Sequence, residues 1–118
     1  MSQDLQQLRN EKAKLEERLQ ELEAKKEELE KKLGELTIDK DKLYSIWSST
    51  RDFQEASRIE MRFTALSRQI STTQEEQKSI EMKMAGMKSS IASLAKAIQD
   101  KETLQRSKWQ VERAGDQS

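Results

Sequence analysis

Leucine recurs every seven residues through the first part of the chain, at Leu8, Leu15, Leu22, Leu29, Leu36 and Leu43. On a helix this spacing aligns all six on one narrow stripe, the d positions of a heptad, and a stripe of that shape is covered only by another helix. The a positions beside it are Leu5, Lys12, Leu19, Lys26, Leu33, Lys40 and Trp47, so leucine alternates with lysine. A lysine on the seam lowers stability and restricts register. Its stem lies along the apolar surface while its ammonium reaches water or a glutamate on the partner strand. The alternation favours few strands, because the centre of a trimer or tetramer offers a lysine less water. Leu5, Leu8, Leu15, Leu19, Leu22, Leu29, Leu33, Leu36 and Leu43 are therefore the expected dimer interface.

Flanking charges speak to strand direction. In a parallel in-register dimer Asp4 meets Arg9, Arg18 meets Glu23 and Lys25 meets Glu30, all attractive, while Glu11 meets Glu16 with Lys12 close by. Each pair is worth a few tenths of a kcal/mol, so the charges bias the choice and the leucines drive it.

Composition excludes several classes of function. Among 118 residues there is no cysteine, histidine or proline, and 37% are charged against 33% hydrophobic and 4% aromatic, which describes long helices and not a compact core. Disulfides, thiolate metal sites and a histidine base are absent, and carboxylate neighbours such as Glu27 and Glu28 have no apolar pocket to tune them. No enzyme activity, cofactor, metal or small-molecule substrate is expected. The net charge is zero, and the basic pairs Lys25-Lys26 and Lys31-Lys32 are neutralised by intervening glutamates, so nucleic acid is not an expected partner. Residues 1–12 are too polar for a signal peptide, and the uncharged stretch Ser89 to Ala95 is far short of a membrane span. The expected location is intracellular and cytoplasmic.

Beyond residue 55 a second register takes over. Its a positions are Ala56, Phe63, Ile70, Gln77, Met84, Ile91 and Ile98, and its d positions Ile59, Leu66, Thr73, Ile80, Met87, Leu94 and Lys101. A parallel homodimer here would set Glu55 against Glu60, Glu76 against Glu81 and Lys83 against Lys88, each repulsive. Ser90, Ala95 and Ala97 flank the seam with small side chains. Ile59, Phe63, Leu66, Ile70, Ile80, Met84, Met87, Ile91, Leu94 and Ile98 are thus expected to meet something else: a bundle, the leucine helix folded back, or another helical protein. Met82, Met84 and Met87 form an adaptable apolar patch. Lysines 83, 88 and 96 with no acid between Met82 and Gln99 are too few for a membrane-surface helix, so membrane binding is not favoured. Ser71, Thr72 and Thr73 ahead of Gln74, Glu75 and Glu76 read as solvated helix positions, with a helix cap or phosphate acceptor as the alternative.

From Leu43 to Ile59 is sixteen residues, two heptads plus two. In an unbroken helix that offset rotates the stripe by about 200°, so one partner cannot satisfy both seams. Either the backbone breaks near Ser48-Ser49-Thr50, with Ser49 as cap and Asp52 at N3, or the two halves bind different surfaces. The lack of Gly or Pro between Glu35 and Ala85 argues against a sharp break. Tyr44, Ile46, Trp47 and Phe53 cluster at this junction as packing for it, with a dedicated aromatic binding site as the alternative. The chain accordingly divides into a leucine-heptad segment (1–47), a junction (48–55), a second coiled-coil segment (56–104) and a fraying tail (105–118) holding Trp109 and Val111.

The fold expected is all-α: a long helical coiled coil in two segments with a register break near 48–55, either a continuous rod or a helical hairpin. The function expected is a coiled-coil oligomerisation or scaffold protein, the first segment forming a homodimer or bundle and the second docking a protein partner in a larger intracellular assembly. Two long helical segments, a seam carrying Phe63, Leu66 and Ile70, and Lys108-Trp109 near a charged C-terminus resemble the small hairpin stalk proteins of type III secretion export ATPases. That resemblance implies a bacterial cytoplasmic protein that inserts into an ATPase ring as a monomeric hairpin.

Overall fold

The computed structural model describes residues 4–116, with side chains described as far as Trp109. It is all-α: helix α1 spans Leu5–Ser49 and helix α2 spans Phe53–Asp116. Among the described residues only Asp4 and residues 50–52 lie outside them. The end of the expected fraying tail, residues 117 and 118, lies outside the described residues, as does the side chain of Val111.

Local chemistry explains where each helix begins and ends. At the start of α1 the Gln7 N–H donates to Asp4 Oδ1 at 2.8 Å and the Asp4 N–H donates to Gln7 Oε1 at 3.3 Å, a reciprocal capping box. At its end the Thr50 N–H donates the last helical bond, to the Ile46 carbonyl at 3.0 Å. The hydroxyls of Ser48 and Ser49 turn back to the carbonyls of Ser45 and Ile46, a second bond at these acceptors that keeps both side chains on α1. Helix α2 is capped by Asp52, whose Oδ1 accepts the Gln54 N–H at 3.1 Å and whose carbonyl accepts the Ala56 N–H at 2.9 Å. Thr50 ties the turn together, since its hydroxyl accepts the Asp52 N–H and donates to Glu55.

Two expectations are corrected by this turn. The cap of α2 is Asp52 and not Ser49, because Ser49 spends its hydroxyl on α1. The break is also sharp without glycine or proline: no described residue has a positive φ, so three ordinary residues reverse the chain once both helix ends are satisfied by side chains. The Ser71-Thr72-Thr73 run lies inside α2 and starts no helix.

The chain divides into two compact units. One comprises residues 22–83 and contains the turn, so it is a helical hairpin of the second half of α1 and the first half of α2. The other pairs residues 1–21 with residues 84–118.

In both units burial follows the heptads. Between Leu5 and Ser49 every residue that is not exposed is an a or d position, and of those positions only Trp47 is exposed. Along α2 all fourteen a and d positions from Ala56 to Lys101 are buried or half-buried.

Candidate functional site

The expected interface residues are covered within the chain itself. In the hairpin unit Leu29, Leu43, Ile59 and Ile80 are buried, and Leu22, Leu33, Leu36, Phe63, Leu66 and Ile70 are half-buried. In the other unit Leu8 and Met84 are buried, and Leu5, Leu15, Leu19, Met87, Ile91, Leu94 and Ile98 are half-buried. The contacts show what covers them. Lys26 Nζ lies 3.9 Å from Glu81, Lys40 Nζ sits 4.9 Å from the centre of the Phe63 ring, and Leu43 and Leu66 line one groove. In the other unit the Arg9 guanidinium bonds Glu102 at 2.8 Å. The leucine stripe and the second seam are therefore each other's cover.

The three lysines of the α1 seam each find a partner without leaving it. Lys12 pairs with Glu16 one turn on, Lys26 reaches Glu81 across the helix pair, and Lys40 lies on an aromatic face. These partly solvated pairs contribute about 0–1 kcal/mol each, so their effect is to make the lysines tolerable and not to hold the helices together. The most enclosed side chain is Thr73, 2% exposed at a d position. Its hydroxyl donates to the Gln69 carbonyl at 2.8 Å, so this buried polar group is satisfied, and Thr73 is not the solvated helix position expected of it.

The turn end is built differently. Phe53 is 85% exposed, and Tyr44, Ile46 and Trp47 are each exposed by more than two-fifths. The expectation that this cluster packs the turn is thus overturned. Hydrogen bonds of Thr50 and Asp52 hold the turn, and the aromatic side chains face solvent. Two of them form one site with residues from across the turn. Tyr44 and Trp47 from α1 and Ile59, Glu60 and Phe63 from α2 line a cavity of about 170 Å³. The rings of Tyr44 and Trp47 lie 6.0 Å apart and inclined at 46°. Sequence reading found the α1 half of this site as an aromatic cluster but assigned Phe63 to the seam alone. The missing signal was the turn, which brings a residue sixteen positions from Trp47 to the same cavity.

Other chemistry is sparse. Among the described residues no group of three or more acidic side chains is placed to hold a metal ion, and no helix is long and apolar enough to cross a membrane. No protein-family model, curated protein or solved structure matches the chain.

Proposed function

We propose that this protein is a non-catalytic coiled-coil scaffold module that docks a protein partner, within a larger assembly, through the apolar residues exposed at its turn. The observation that carries this reading is the contrast in burial: the seams cover their apolar side chains, whereas Phe53, Tyr44, Ile46 and Trp47 are left to solvent around three residues of turn. Clustered exposed aromatic residues are costly to solubility and are the kind of side chain that anchors protein interfaces. Self-association by the leucine stripe is a weaker part of the reading, because a second copy must displace α2 from the same surface. A covalently tethered helix competes at an effective concentration in the millimolar range.

A photo-activated cross-linker placed at Phe53 in cells of the source organism tests the docking role. It should yield one discrete heteromeric product, and the same group at Ser89 should not. No product, or only a product with a second copy, overturns the reading. The alternative, an accessory stalk of a type III secretion export ATPase, is favoured by the hairpin of residues 22–83. A ring ATPase in the cross-linked product would select it.

A further inference from the structure

We propose that the cavity between Tyr44, Trp47 and Phe63 binds a quaternary ammonium group of the choline class. Three of the chain's five aromatic residues line this one small space. Aromatic faces carry negative electrostatic potential and attract cations. The Tyr44 and Trp47 rings meet at 46°, the relation of two adjoining walls and not of a stack. Glu60 is the single charged side chain in the lining, and its sign favours a cation. Phe63 already attracts one: Lys40 Nζ lies 4.9 Å from its ring centre, and Lys40 is not part of the cavity lining.

The kind of cation follows from what the lining lacks. A primary ammonium brings three N–H donors and a guanidinium five, all of which need acceptors when they leave water. Here the side-chain acceptors are the Glu60 carboxylate and the Tyr44 hydroxyl. A trimethylammonium group has no donor to leave unsatisfied and offers methyl groups to the aromatic walls and Ile59. Size agrees. A volume of about 170 Å³ equals five or six waters at about 30 Å³ each, and falls below the roughly 300–1,000 Å³ of sites for drug-sized molecules. The site holds a head group and leaves its substituent in solvent. This inference goes beyond the docking role: the ligand takes Tyr44 and Trp47, two of the residues proposed to dock a partner, and its test is made on the chain alone.

The test uses the full chain carrying Trp109→Phe, which leaves Trp47 as the sole indole reporter. Choline is titrated across the millimolar range against dimethylbutanol, its uncharged isostere with tert-butyl in place of trimethylammonium. Choline should give a saturable change in Trp47 emission, and the isostere should bind about tenfold more weakly. Glu60→Gln should weaken choline binding about threefold with circular dichroism unchanged, and Tyr44→Leu should weaken it further. An equal response to choline and its isostere, or no response to choline while the helical signal is intact, overturns the proposal.

Discussion

The seam of the hairpin unit and its turn end are made of similar residues and treat them in opposite ways. Ile59 and Ile80 are buried, whereas Ile38 and Ile46, no less apolar, are about half exposed. The difference is register. A two-helix pair gives each helix one contact face, two positions in every seven, and Ile38 and Ile46 fall outside it. Trp47 is in register but lies in the last turn of α1, where α2 has only begun, and Phe53 is the first residue of α2. Burial in this molecule is decided by place on the helix and not by hydrophobicity. Of the large apolar residues left exposed, Tyr44, Ile46, Trp47 and Phe53 stand at the turn, while Ile38, Met61, Met82, Leu104 and Trp109 are spaced singly along the helices.

The comparison is broken or sharpened by substitution. Leu29→Ala and Ile80→Ala, both in the seam, should each cost about 2–4 kcal/mol in urea unfolding, through lost burial plus the cavity left behind. The double variant should fall short of the sum if the two cavities merge. Replacing Lys12, Lys26 and Lys40 together by isoleucine should stabilise the chain by on the order of 1 kcal/mol per site, seen as a higher melting temperature. The same variant should show new self-association in sedimentation velocity, since these lysines keep the seam unattractive to additional helices. An unchanged melting temperature would mean that the Glu16, Glu81 and Phe63 contacts already offset the cost of a lysine there.

At the turn, Asp52→Ala removes the cap of α2 and should cost about 1 kcal/mol. Ser49→Ala should change stability by no more than about 0.5 kcal/mol, as its exposed hydroxyl only returns to carbonyls at a helix end. If the two cost the same, the cap is misassigned. The smallest effect is expected at the most exposed residue: Phe53→Ser should leave the unfolding midpoint within about 0.5 kcal/mol of the parent. A loss comparable to that of Leu29→Ala would mean that Phe53 is packed in solution, and the contrast between seam and turn end would fail.

Much of this was legible in the residues. Trp47 excepted, the positions of the seven-residue period are the ones covered on both helices, Lys12, Lys26 and Lys40 included, because a regular helix admits one set of neighbours for each repeat. The sixteen-residue offset located the region of the break. The capping pair Asp4 with Gln7 and the cap Asp52 were readable in principle, as an acidic residue ahead of each helix, but Ser49 competed for the second role and serine hydroxyls satisfy carbonyls as readily as N–H groups. The cavity was half legible. Tyr44 and Trp47 announced themselves on α1, whereas the contributions of Ile59 and Phe63 depended on the turn geometry.

By itself the sequence determined that the chain is helical, which face of each helix is apolar, and that the two faces cannot share one partner along an unbroken helix. Only the tertiary structure decided which surface covers which. Apolar burial has no direction, so the leucine stripe is satisfied equally well by a second leucine stripe or by the seam from Ile59 to Ile98, and the charge pairs that favour a parallel dimer are worth only tenths of a kcal/mol. Three residues of turn tip that balance. They place α2 beside α1 without the loss of translational and rotational freedom that a second chain would incur.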